Sequence, residues 1–148
     1  VAPVRGNVLT RLRKLDEGQY AALVLAAAGL KRLGLEGRIA RYFTAEEIIP
    51  AAGQGILAVQ TRAGEDYPCL AAVTDREGTI CALAERAFVR ELDGGCSSPV
   101  AAHGVVDGDT LMLTGMDESG RRDRISGPMT EAEQLGETLA RRMKEAAE

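Results

Sequence analysis

At 148 residues, 45% hydrophobic and 27% charged with a mean hydropathy of -0.09, the chain has room for one ordinary domain or two small ones. Its longest apolar run, Ala21 to Leu30, stops at Lys31-Arg32 and is far shorter than the roughly 20 residues of a membrane span, so neither a transmembrane segment nor a signal peptide is expected, and a soluble, cytoplasmic protein is. Three cysteines at 69, 81 and 96, without a CxxC pair, argue against a disulfide framework and against a zinc site and fit a reducing compartment.

The net charge of -4 conceals an asymmetry. Residues 1–45 carry eight basic groups (Arg5, Arg11, Arg13, Lys14, Lys31, Arg32, Arg38, Arg41) against three acidic ones (Asp16, Glu17, Glu36), whereas the remainder is acidic. Tyr20, Tyr42 and Phe43 do not interleave with the arginines as a base-stacking platform would, so nucleic acid is not the expected partner. An arginine-rich cluster instead favours a small polyanion, because the guanidinium fork matches carboxylate or phosphate oxygens.

In chain order, Asn7 to Asp16 reads as a helix capped by Asn7, with Val8, Leu9, Leu12 and Leu15 on one face and Gly18 as its stop. Ala21 to Ala26 reads as a strand buried on both faces of a mostly parallel sheet, and Ala28 to Leu33 as a helix ended by Gly34. Such a sheet needs more strands than the first 50 residues supply, and the chain begins at Val1, so a missing start is expected. Pro50, Gly53 and Gly55 followed by Ile56 to Val59 read as a hinge leading into a strand. Thr74 to Glu77 has the pattern of a capping box, opening a helix to about Leu92 with Ile80, Leu83, Ala84, Ala87, Phe88 and Leu92 inward and Gly94-Gly95 as terminators. Val100 to Val106, Thr110 to Met116 and Arg122 to Ser126 read as antiparallel strands joined by turns at Asp107-Gly108-Asp109 and Glu118-Ser119-Gly120. A second capping box at Thr130 to Glu133 opens a last helix with Leu135, Leu139 and Met143 inward. Residues 72–148 thus make an α+β module.

Cys96, behind Gly94-Gly95 and before Ser97-Ser98-Pro99, is the candidate for covalent chemistry: the glycines leave the backbone beside the sulfur unobstructed and free to take φ > 0. Its place after a helix C-terminus disfavours the thiolate. Cys69 and Cys81 read as small core residues, Asp107 and Asp109 as turn formers rather than metal ligands, and His103 as a surface or half-buried residue.

Five blocks in order carry a resemblance: Arg5-Gly6-Asn7 with Thr10-Arg11-Leu12; Leu25-Ala26 with Ala28 to Gly34; Pro50 to Gly55; Ala84-Glu85-Arg86-Ala87; and Gly94 to Val100. In these blocks the chain resembles the porphobilinogen deaminase (hydroxymethylbilane synthase) family, whose members are about twice as long and have three domains. The resemblance implies the C-terminal half: residues 1–50 as the end of domain 2, 51–71 as the segment returning to an absent domain 1 and hinge, and 72–148 as domain 3. The fold implied is α/β plus α+β: a truncated half of a periplasmic-binding-protein-like α/β domain, then a small α+β domain with a three-stranded antiparallel sheet and helices on one face. The activity implied is that of a transferase joining four porphobilinogen units with release of ammonia, in tetrapyrrole (haem) biosynthesis.

The same resemblance implies a dipyrromethane cofactor held by a thioether to Cys96, with Arg5, Arg11 and Arg32 binding the pyrrole carboxylates. Gln54 is expected to matter at the domain crossing. No catalytic residue is expected in this chain, because the family's aspartate lies in domain 1, so the isolated chain is expected to be inactive and to lack the cofactor unless loaded beforehand. The implied partners are porphobilinogen and the growing oligopyrrole, with no nucleic acid or membrane; the intact enzyme is expected to be a monomer, and the fragment to self-associate or be disordered over residues 1–60. Two alternatives stand beside this reading: a non-catalytic α+β binding module, and a cysteine hydrolase pairing Cys96 with His103.

Overall fold

Asn7 is extended and its side-chain oxygen accepts a hydrogen bond from the Thr10 amide at 2.8 Å, starting helix α1 (Val8–Asp16) where the capping pattern places it. This is a computed structural model describing residues 1–94 and 98–146. The chain divides into two units, Val1–Phe43 and Thr44–Glu148. In the first, helix α2 (Ala27–Arg32) follows α1, and Gly34 and Gly18 take the positive φ that ends each helix region. Leu12 and Leu30 are its buried side chains.

The expected strand at Ala21–Ala26 does not form, nor does the one after Ile56. A strand exists only by pairing its amides and carbonyls with a neighbour, and among the described residues neither segment has one. Val24, Leu57 and Val59 are accordingly exposed at 70%, 77% and 65%.

The second unit is built on helix α3 (Arg76–Glu91), strands β1 (Ala101–Asp107), β2 (Thr110–Met116) and β3 (Arg122–Pro128), and helix α4 (Ala132–Glu145). The sheet order is β1-β2-β3, antiparallel throughout, with Gly104 opposite Leu113 and Leu113 opposite Ile125. Period-two alternation sends Ala102, Gly104, Leu111, Leu113, Gly115 and Ile125 toward the two helices, where Phe88, Leu139 and Met143 complete the core. The opposite face presents His103, Val105, Met112, Arg122 and Arg124, partly covered where the Arg122 guanidinium donates to the Glu46 and Glu47 carbonyls at 2.6 and 3.2 Å.

Both helix starts differ in detail from the capping boxes. The Thr74 hydroxyl donates to the Leu70 carbonyl at 2.8 Å, closing the 3-10 turn Pro68–Ala72, and Asp75 caps α3 by accepting from the Gly78 amide at 3.0 Å. Thr130 lies inside a 3-10 turn, Met129–Glu131, and so lacks the extended backbone a cap requires; α4 begins at Ala132 with no side-chain cap. Leu83, expected inward, is 41% exposed because it borders an open groove between the starts of α3 and α4.

Close approach of elements explains two glycines. A Cβ on Gly136 would lie 2.3 Å from the Ala84 carbonyl oxygen, so α3 and α4 cross backbone to backbone there. A Cβ on Gly115 would meet the Phe88 ring at 2.4 Å. At Gly115 the ring fills the space the glycine leaves, and at Gly136 the α3 backbone does.

Candidate cofactor and anion site

Three of the basic groups of the first unit are paired with its carboxylates. Arg13 pairs with Glu17 at 3.7 Å, Lys31 with Glu36 at 3.4 Å, and Arg38 with Asp16 at 2.5 Å, so every acidic side chain in Val1–Phe43 is taken. The Tyr42 hydroxyl donates to Glu36 at 2.9 Å, and with Lys31 it holds the Glu36 carboxyl below the ordinary range. Glu36 in turn raises the pKa of Lys31, whose ammonium also lies 5.3 Å from the Tyr42 ring centroid. The Lys14 ammonium donates to the Arg5 carbonyl at 3.2 Å, and Arg41 stacks over Phe43 at 5.0 Å.

Arg5, Arg11 and Arg32, with Lys14, are outside those pairs. None has a carboxylate partner among the described residues. Arg11 spends its Nε on the Gly6 carbonyl at 2.8 Å, which orients the guanidinium and leaves its terminal nitrogens for a ligand. Gly6 permits this turn with φ 121°. Helices α1 and α2 come close at Val8 and Gly29, and Arg11 and Arg32 each follow one of these residues by three positions. Guanidinium forks without an internal anion can accept carboxylates bidentately.

Cys96 lies outside the described residues. What leads to it is described: α3 ends in a Schellman motif, with the Asp93 amide donating to Arg90 O at 3.1 Å and the Gly94 amide to Val89 O at 2.9 Å. The left-handed residue is Asp93, φ 56°, so the stop comes before the glycines. Gly94 does not use a positive φ; it is needed for space, since a Cβ would lie 2.8 Å from Val100 Cγ2 and 3.2 Å from Val89 O.

The other cysteines are separated by environment. Cys69, expected in the core, is exposed, because it sits on the surface 3-10 turn rather than beside a packed strand. Cys81 is half-buried against Gly104, and burial first, then the carboxylates of Glu85, Asp75 and Glu77, push its thiol pKa up. His103 is half-buried in a groove with Glu46 and Arg124, and it makes no hydrogen bond to a carboxylate among the described residues. The orienting third group of a cysteine hydrolase is therefore lacking among them. No cluster of His, Cys, Asp or Glu suited to a metal ion occurs among the described residues.

Glu85 is the residue that sequence reasoning missed. It is 5% exposed, a buried carboxylate among alanines and Phe88, and its two oxygens accept from the Gly53 amide at 2.7 Å and the Gly104 amide at 2.8 Å. Its signal in the sequence was available: a lone acid at a position flanked by Ala84, Ala87 and Phe88, on the inward face of an amphipathic helix. Gln54, expected at the crossing, is exposed, and its backbone N–H donates to Ala51 O at 3.0 Å in the adjoining turn.

No helix among the described residues is long and apolar enough to cross a membrane. Residues 1–68 match the family model described as porphobilinogen deaminase, dipyromethane cofactor binding domain, and residues 79–145 the model for the porphobilinogen deaminase C-terminal domain. The porphobilinogen deaminase of Ruminiclostridium josui is 50% identical over 148 residues, 97% of this chain and 51% of the relative. That of Acetivibrio thermocellus is 50% identical over 152 residues, 100% of this chain and 52% of the relative, and that of Alkaliphilus oremlandii 51% identical over 148 residues, 97% and 50%. The chain spans about half the length of the curated relatives it matches. With two family models covering its two parts in order, the chain belongs to the porphobilinogen deaminase family.

Proposed function

We propose that this chain is the C-terminal part of a hydroxymethylbilane synthase, a transferase that joins four porphobilinogen units with loss of ammonia for tetrapyrrole synthesis. In this reading residues 1–50 complete a periplasmic-binding-protein-like domain 2, residues 51–71 return to domain 1, and residues 72–148 are domain 3. Cys96 anchors the dipyrromethane as a thioether, and that group, when bound, supplies the primer on which the pyrrole chain is extended. Arg5, Arg11 and Arg32 hold the acetate and propionate groups of the cofactor and the growing chain. Catalytic proton transfer belongs to the rest of the enzyme, and porphobilinogen is not converted by this chain alone.

The observation that carries this reading is the division of the basic groups. The three arginines nominated by resemblance lack an internal carboxylate, whereas Arg13, Lys31 and Arg38 already have one. A polyanionic ligand meets Arg5, Arg11 and Arg32 without breaking any of these ion pairs. The expected effect follows from the worth of a charge-assisted bond, about 1.5–3 kcal/mol, or roughly 10- to 150-fold. In an enzyme completed with the N-terminal half of a relative, Arg11→Gln lowers kcat/KM for porphobilinogen by that range, while Arg13→Gln leaves it within about twofold, the scale of an exposed pair. Equal losses for the two variants contradict the assignment.

A further inference from the structure

Strand β1 lies at an edge of the sheet: β2 pairs with it on one side, and its other side would present amides to solvent. Two of those amides are taken. Ala102 donates to the Pro50 carbonyl at 3.2 Å, and Gly104, two residues on, donates to Glu85 Oε1 at 2.8 Å. The second oxygen, Oε2, receives the Gly53 amide at 2.7 Å. The strap Pro50–Gly53 therefore runs along the β1 edge, joined to it directly at one point and through a side chain at the next.

Backbone requirements agree at both ends of this contact. Gly53 has φ 74°, and with Gly55 at φ 86° it makes consecutive turns in which Gln54 N meets Ala51 O and Ile56 N meets Gly53 O. Gly104 is confined by packing, since a Cβ there would lie 3.2 Å from the Cys81 backbone. A buried carboxylate is tolerated when its oxygens are filled, and here two amides from distant stretches of sequence fill them.

We propose that Glu85 is a clasp that fixes the turn Ala51–Gly55 to the β1 edge, so that one carboxylate sets where the hinge polypeptide joins the α+β module. The role is conformational and does not depend on the proposed chemistry. It requires two acceptors at glutamate length. Glutamine offers one acceptor and turns an NH2 toward the other amide, and aspartate is one methylene too short to reach both.

Amide hydrogen exchange by NMR on the 148-residue chain tests this. In Glu85→Gln and Glu85→Asp, exchange at Gly53 or Gly104 is expected to accelerate by about tenfold or more, while Leu139 and Ala140 in α4 stay within about twofold. Uniform acceleration through the core, or unchanged exchange at both glycines, overturns the clasp. The unsubstituted chain gives a second test if the variants do not fold. The Gly53 and Gly104 amides, both closed by the same carboxylate, should each exchange at least about tenfold more slowly than an open loop amide. Exchange of either amide at the rate of an open loop overturns the clasp equally.

Discussion

Gly136→Ala reverses the usual sign of a helix substitution. In an open helix the change stabilises by about 1 kcal/mol, since alanine loses less backbone entropy. Here the new Cβ would sit 2.3 Å from the Ala84 carbonyl oxygen, 2.9 Å from Ala87 Cβ and 2.9 Å from the Phe88 amide nitrogen. A carbon meets an oxygen comfortably at about 3.3 Å, so α4 must withdraw from α3 by about an ångström. Backbone atoms cannot swing aside as a side chain could. The withdrawal loosens Leu139 and Ala140, both fully buried. Overpacking of this kind costs about 1–3 kcal/mol, and the tight contact with backbone places the expected net loss, after the propensity gain, at about 1–2 kcal/mol. Urea unfolding followed by far-UV circular dichroism reads this as a lower midpoint with an unchanged slope. A variant as stable as the parent chain, or more stable, would refute the backbone-to-backbone crossing.

Two further predictions concern titratable groups. Burial pushes the Asp117 pKa up, but the Ser119 hydroxyl, the Arg121 amide and guanidinium, and the Ser119 amide together hold it below the ordinary aspartate range. Its depressed pKa adds stability that is present above the unfolded value near pH 4 and is lost as pH falls through the folded value. Asp117→Asn should therefore cost about 1.5–3 kcal/mol at pH 7 by breaking the charged bond to Arg121, with the difference from the parent chain narrowing below about pH 4; a gap constant down to pH 2 would contradict the linkage. Mapped alkylation at pH 8 should label exposed Cys69 well before Cys81, whose thiol is half-buried and raised in pKa; equal rates would count against that environment.

The α+β module was legible because its signals are local. Period-two alternation gave three strands, Gly108 and Gly120 sit at positive φ in the expected hairpin turns, and Leu135, Leu139 and Met143 face inward as their spacing requires. The capping boxes were misplaced because a hydroxyl can bond backward as readily as forward: Thr74 satisfies Leu70, leaving the cap to Asp75. The apolar runs at Ala21–Ala26 and Ile56–Val59 showed strand composition, but pairing depends on a neighbour that sequence pattern does not supply. Among the proposed site residues, Arg5, Arg11 and Arg32 could be nominated only by resemblance. Charge counting treats eight cations alike; ion-pair geometry sets Arg13, Lys31 and Arg38 apart. Glu85 was hidden because its partners are backbone amides 32 and 19 residues away, which no side-chain motif records.

The central proposal is that Cys96 carries a dipyrromethane whose carboxylates the unpaired arginines hold. Peptide mass analysis of the enzyme completed with a relative's N-terminal half, purified after it has been shown to consume porphobilinogen, tests this most directly. The account predicts that the Cys96 peptide carries the mass of two linked pyrrole units, and that Cys96→Ser abolishes both the adduct and turnover. An active enzyme with an unmodified Cys96 thiol would contradict it.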